Sequence, residues 1–501
     1  MRRIILAAAC AATMLSGAAT AQTLRIALRE DPDILDPTLA RTYVGRIAFA
    51  GLCDKLFDIN ENLEVVPQLA LSHEWTDPTN LVIKLRPGVV FHDGEKLDAA
   101  AVRYSLERHL TMAGSFRRSE INLMERVEVV DPLTVRIVLK SASSPFLSQL
   151  TDRSGMIVSP KAAEAAGKDF GLKPVCTGPF RFVERVPQDR IVLERFPEYW
   201  DAGAIKLDRV IYQPIPDSSI RLANLQAGSI EMSEQILPSD ADAVRSNPRL
   251  RLVMTDSLGY LGITINLANG PRAKTPMGGD ARVRQAFELS LDKTTIIQVV
   301  HNGLYTPVAQ ALPPSSPYYV ASVQPKTRDV ARAKALLKEA GVTLPVPIAL
   351  TVPNNPDQRQ VGEIIQAMAA EAGFDVKITA SEYASALSAA NRGEFEAFLT
   401  AWSGRVDPDG NLFTFTHSTG PNNDAKYANA KVDGLLEQAR GLQDVAGRRA
   451  MYEQVMQQTR QDLPIVYLWN LKNVVGMSAR VTGFRPVPDG MIRLQGVSLA
   501  K

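Results

Sequence analysis

Cysteine is scarce: three occur in 501 residues, at Cys10, Cys53 and Cys176. Their spacing excludes a C-x-x-C redox motif and a cysteine-built zinc site. The five histidines, His73, His92, His109, His301 and His417, make no metal-ligand spacing with one another. An excess of one charge is missing as well, with 56 Lys+Arg against 54 Asp+Glu. The formal +2 is too weak a field to hold a polyanion, and Lys/Arg runs never exceed pairs. Nucleic acid is therefore excluded as a partner. Past the first residues, Pro, Gly or charge interrupts every apolar stretch, which leaves no segment that reads as membrane-spanning. There is no G-x-S-x-G, no P-loop, no G-x-G-x-x-G after a strand and no H-E-x-x-H. His92, in Phe91-His92-Asp93-Gly94, reads as a turn residue rather than a base. No catalytic residue, metal site or cofactor is predicted, and the pattern favours a binder over an enzyme.

What is present is the composition of a folded globular chain, 45% hydrophobic and 22% charged. The length suggests roughly two to four domains. Met1-Arg2-Arg3 is a positive start, Ile4 to Ala12 is apolar, and Ala19-Thr20-Ala21 is a small-residue ending. Residues 1–21 thus read as a secretory signal, cleaved before Gln22. Their removal leaves 480 residues and takes Arg2 and Arg3 away, so 54 basic residues balance 54 acidic ones. Cys53 and Cys176 remain as an even pair in an oxidising compartment. They are either a disulfide or two buried thiols.

The mature chain alternates strands and helices in two styles. Up to about Leu252 the strands are short and bounded by turn residues. Leu81 to Arg86 ends at Pro87-Gly88, and Thr134 to Leu139 follows Asp131-Pro132. Asp98 is a good N-cap for a helix that lines up Ala99, Val102, Leu106 and Leu110. From about Gly262 the style shifts to αβ units. Asp357 opens a helix carrying Val361, Ile364, Ile365, Met368 and Ala372, which Gly373 ends before a strand from Phe374 to Ile378. Ala331 to Ala340, Gly341 and a strand near Ile348 to Val352 repeat that scheme. Phe395 to Trp402 is nearly continuous apolar, as in a strand buried on both faces. The loop Trp402-Ser403-Gly404-Arg405-Val406-Asp407-Pro408-Asp409-Gly410 follows it. Ligands in α/β sheets bind at the carboxyl ends of strands, so this loop is a candidate site.

Six local patterns stand in order along the chain. They are Glu30-Asp31-Pro32-Asp33-Ile34-Leu35-Asp36-Pro37, Val65-Val66-Pro67-Gln68-Leu69-Ala70 with Trp75, and Leu85 to Gly94 running into Ala101 to Arg108. Then come Thr177-Gly178-Pro179-Phe180, Asp280 to Phe287 with Leu291-Asp292-Lys293, and the loop after Trp402. Together they resemble family 5 of the extracellular solute-binding proteins, the dipeptide-, oligopeptide- and nickel-binding components of ABC importers. The resemblance covers nearly the whole mature chain. It implies an α/β, two-lobed periplasmic-binding-protein fold of the large, class II-like peptide-binding type, with an extra subdomain in the first lobe. The expected first lobe is 22–262, with the subdomain at about 60–170. The second is 263–474, and 475–501 returns to the first. Lobe crossings are expected near Tyr260 to Asn266 and near Trp469 to Val475.

The same resemblance implies the site. Asp407 is expected to hold a ligand α-ammonium, or else to start a turn by bonding its own backbone. Arg405 departs from the family pattern, and its guanidinium is expected either to clamp a ligand carboxylate or to pair with Asp407 or Asp409. Trp402, Ser403, Gly404, Tyr43, Tyr260, Asn266 and Trp469 complete the expected ligand-binding set. Both cysteines fall in the first lobe, which favours a Cys53–Cys176 disulfide. The implied activity is capture of a short peptide or amino-acid-like solute in the periplasm. Delivery is to an ABC permease in the inner membrane, by a monomer that performs no reaction. An opine, sugar or metal chelate as solute, or an exported hydrolase, are the alternatives.

Overall fold

The computed structural model describes residues 22–442 and 444–500. The expected export signal, 1–21, lies outside them. A mixed sheet of eleven strands organises the chain. At its centre lie two long antiparallel strands, Leu250–Ile265 and Ile465–Ser478. To one side the order continues through Ala397–Trp402 and Val346–Pro353 to Phe374–Ser381. To the other it runs through Met232–Ser233, Thr23–Leu28, Arg209–Pro214 and Arg190–Arg195 to Phe180–Val186.

The central ladder has two parts. Leu250 to Asp256 pairs with Lys472 to Ser478, and Tyr260 to Thr264 pairs with Ile465 to Asn470. The register breaks over Ser257-Leu258-Gly259 between them. Gly259 is required there, because a Cβ would lie 2.2 Å from the Trp402 carbonyl oxygen.

Each part of the ladder serves its own core. One contains Ile26, Phe49, Leu52, Leu193, Tyr212, Met477 and Leu494. The other contains Ile263, Phe287, Leu350, Ile365, Leu399 and Trp469. Residues after Val475 supply Met477, Val481, Ile492 and Val497 to the first core, so the chain end closes back on its beginning. A third core lies against a separate four-stranded sheet, ordered Ala70–Asp77, Asn80–Leu85, Thr134–Leu139, Met124–Asp131. Helix Ala99–Thr111 covers it. Asp98 caps that helix by accepting the Ala101 amide at 2.9 Å, and Ala99, Val102 and Leu106 are buried as their spacing predicts.

The helix expected from Asp357 begins at Pro356. The cap is Asn355, whose Oδ1 accepts the Gln358 amide at 3.0 Å, and Asp357 sits in the first turn. Proline suits that first position, where its missing N–H is no loss. Gly373 ends the helix at φ 102°, a conformation that disfavours a side chain.

Cys53 and Cys176 are joined as a disulfide within the first core, across 123 residues of sequence. The histidines of this half differ in burial, with His73 exposed and His92 half-buried. His109 is fully buried, with Nδ1 against Thr38 Oγ1 at 2.8 Å and Nε2 against the Met156 carbonyl at 3.0 Å. Burial pushes the imidazoles of His92 and His109 down to about 4. Among the described residues no helix is long and apolar enough to cross a membrane.

Three outcomes follow. Intact-mass analysis of alkylated, unreduced mature protein should show no adduct, and two adducts would refute the bond. Opening it by Cys53→Ser should cost about 3–5 kcal/mol in urea denaturation. The depressed histidines bind fewer protons folded than unfolded. Their contribution is present above about pH 6.5 and is lost as pH falls toward 4. His109→Gln should therefore lose less of its own urea midpoint between pH 7 and pH 4.5 than the parent.

Candidate functional site

Three chain ends converge between the two main cores. Strand Thr23–Leu28 ends at Arg29-Glu30. Helix Tyr43–Leu52 starts at Thr42, whose Oγ1 accepts the Gly45 amide at 3.3 Å. Strand Ala397–Trp402 ends against them. They wall a cleft of two adjoining cavities, of about 780 and 680 Å³, which share Tyr43, Tyr383, Ala401, Trp402 and Ser403.

The larger cavity is rich in polar groups. Arg29 lies 3.5 Å from Glu234, reaches Gln235 Oε1 at 3.3 Å and sits 4.8 Å over the Tyr43 ring. Glu30, Asn355, Gln358, Lys472 and Asn473 line the same space. Burial pushes the Glu30 carboxyl up to about 8, against the favourable charge of Arg29. It also pushes the Tyr383 phenol up to about 12. The smaller cavity carries cations. Arg41 donates to Asp424 at 3.2 Å, to Asn422 at 3.3 Å and to the Leu387 carbonyl at 3.3 Å. Arg117 pairs with Glu120 at 2.6 Å, and Arg153 donates to the Ala40 carbonyl at 2.7 Å.

The walls are tied together. Arg46 donates to Ser403 Oγ at 3.0 Å, and Arg405 Nε meets Asp152 Oδ2 at 2.7 Å. With Arg41–Asp424, these contacts hold the strand-one side of the cleft against the Trp402 side. The conformation is closed.

The structure sorts the expected site residues. Tyr43, Trp402 and Ser403 line both cavities. Gly404, Arg405 and Asp407 lie behind them, around a smaller space of about 360 Å³. Arg405 pairs with neither Asp407 nor Asp409. Its partner is Asp152, and its guanidinium sits 4.4 Å over the Trp402 ring. Asp407 is held in a fork by Arg448 at 2.7 and 2.9 Å, and it also accepts the Asp409 amide at 2.9 Å. The turn reading of Asp407 is therefore realised, with an added ion pair, and Asp409 is likewise spent on Arg440 at 2.6 Å.

Three residues are core rather than wall. Tyr260 is 2% exposed and packs edge-on against Tyr467 at 4.8 Å. Asn266 is fully buried, and its amide donates to the Asn269 and Phe395 carbonyls at 2.9 and 2.8 Å. Trp469 is fully buried beside His301. None of the three lines either cavity, whereas their neighbours Leu261 and Leu471 line the larger one.

The sequence reading missed Arg29, Glu30, Glu234 and Tyr383. Arg29-Glu30 stands just past the carboxyl end of the first strand, so the rule that selected the Trp402 loop applies there too. Glu234 and Tyr383 reach the cleft only through tertiary packing.

A cleft walled by two cores, floored by two crossing strands and lined by ionic groups and aromatic rings defines a two-lobed solute-binding protein. The chain belongs to the bacterial extracellular solute-binding proteins, family 5, whose middle-region model matches residues 64–423. It is 30% identical to the glutathione-binding protein GsiB of Pectobacterium atrosepticum, over all of this chain and 99% of that protein. Its fold superposes on the periplasmic binding protein DppA from Helicobacter pylori, in complex with the peptide STSA. The TM-score is 0.88 at 25% identity, over 96% of this chain and 98% of that one. AgaA in complex with agropinic acid, from A. tumefaciens R10, gives a TM-score of 0.87 at 24% identity, over 96% and 99%.

Asp407→Asn should leave the Arg448 guanidinium buried without its counter-charge. A stability loss of about 3–5 kcal/mol is expected in urea denaturation. An unchanged midpoint would show that the fork contributes nothing.

Proposed function

We propose that the protein captures a short peptide or amino-acid-like solute between its lobes in the periplasm and delivers it to an ABC permease, performing no reaction itself. The observation that carries this reading is the cleft's two kinds of ionic end. Glu30 and Glu234 stand with Arg29 in the larger cavity, and Arg41, Arg117 and Arg153 stand in the smaller. Such a cleft fits a solute that carries an ammonium and a carboxylate, with Trp402, Tyr43 and Tyr383 packing its apolar parts. The ligands named for two relatives, glutathione and the peptide STSA, support the same class.

The lobe limits expected from the sequence, 22–262 with 475–501 against 263–474, belong to this proposal. The separate cores support them, and the break at Ser257-Leu258-Gly259 supports a hinge just ahead of Tyr260. Solute binding favours the closed form, because contacts to both walls exist only there. The permease would read that form in a monomer. Export through residues 1–21 is supported by their basic start, apolar stretch and A-x-A ending.

A thermal-shift and calorimetric panel of amino acids, di- and tripeptides, glutathione, an opine and sugars tests it. A peptide-like compound should stabilise the mature protein, by about 2.7 kcal/mol at a hundredfold excess over Kd. Binding of sugars alone, or turnover of an ester or amide by pure protein, would refute it.

A further inference from the structure

Three carboxylates line the cleft: Glu30, Glu234 and Asp424. Two are engaged. Glu234 accepts the Arg29 amide at 3.0 Å and lies 3.5 Å from its guanidinium, and Asp424 takes Arg41 at 3.2 Å. Among the described residues, Glu30 accepts no hydrogen bond and pairs with no cation. The nearest other cation on that wall, Lys472, is spent on Asp256 at 2.6 Å. The same cavity holds a second unmet acceptor. Gln358 Oε1 is buried without a donor, while its Nε2 points to Asp357 Oδ2 at 3.5 Å.

Two acceptors without donors call for a group rich in donors. A primary ammonium brings three N–H donors and a positive charge. The charge count favours it over water: one guanidinium, Arg29, faces both Glu30 and Glu234, and Glu382 and Asp33 add to the negative field. Asp407, the residue expected to take an ammonium, is already forked by Arg448.

We propose that Glu30 is the specificity-determining acceptor for a primary ammonium of the captured solute, with Gln358 Oε1 as the second acceptor. This rests on the solute-capture reading and names the group that the cleft selects.

The assignment has a proton balance. Burial, with Glu234, Glu382 and Asp33 behind it, raises the Glu30 carboxyl to about 8 against the pull of Arg29. Tyr43 and Tyr383 are pushed up too and stay neutral. In the empty cleft at pH 7, Glu30 therefore keeps its proton. An arriving ammonium stabilises the carboxylate, and the proton leaves to solvent, so capture releases close to one proton.

The test uses mature protein and its Glu30→Gln variant, with glutathione and Ala-Ala-Ala, each free and N-acetylated. Calorimetry in buffers of different ionisation enthalpy should read proton release near one for the parent and near zero for the variant. N-acetylation should weaken binding roughly ten- to hundredfold in the parent. In the variant the two forms should differ by less than about threefold. Free and acetylated probes binding the parent alike would overturn the assignment and leave solute capture standing. If neither probe nor any other amine binds, both readings fall. A ligand-free arm guards against a folding artefact. A raised Glu pKa means folded stability is lost as pH rises from 4.5 through about 8. The melting temperature of Glu30→Gln should therefore gain on the parent between pH 6 and pH 9. A flat difference would also overturn the assignment.

Discussion

The antiparallel ladder between Leu250–Ile265 and Ile465–Ser478 is the constraint on which the other features depend. Backbone pairing runs nearly the full length of both strands, yet their two ends serve different cores. The longer of the ladder's two irregular stretches, Ser257-Leu258-Gly259, falls between the cores, and a second register shift follows at Leu261/Gly262. Only glycine fits at position 259, where a Cβ would lie 2.2 Å from the Trp402 carbonyl oxygen. The ladder thus pairs over each core and breaks between them.

The cleft is built largely from charges that are already paired. Arg405–Asp152, Arg46–Ser403 and Arg41–Asp424 join its two walls, and removing either partner of a buried pair leaves an uncompensated charge. What remains for recognition is the set of groups that the protein itself leaves unsatisfied. Glu30 and Gln358 Oε1 are such acceptors, and the Nε atoms of Arg117 and Arg153 are buried donors without acceptors. A dipolar solute supplies what both lack.

Much of the fold was legible because it rests on local rules. The Asp98 cap, the apolar face of the helix it starts and the glycine stops at Gly341 and Gly373 are all found where their chemistry predicts. The strand from Ala397 to Trp402 reads as doubly buried and occupies an interior place in the sheet. The site was legible only in part. Position after a strand drew attention to Trp402 and Ser403, which line both cavities. It could not say that Asp407 turns away to Arg448, 41 residues further on. Nor could it say that Tyr260, Asn266 and Trp469 point into the cores. In a strand, a shift of one residue exchanges the two faces, and the bulge at Gly259 resets that choice.

Sequence alone determined the class of protein. Its ordered local patterns run through most of the chain, and each depends on neighbours within a few residues. The tertiary structure decided which charges are free. Whether a carboxylate serves a ligand or a structural ion pair depends on the nearest guanidinium in space. Arg448 and Arg405 find their partners across long stretches of sequence. The balance of 56 basic and 54 acidic residues is the same whichever pairs form. Only the fold shows that Asp407 is taken and that, among the described residues, Glu30 is not.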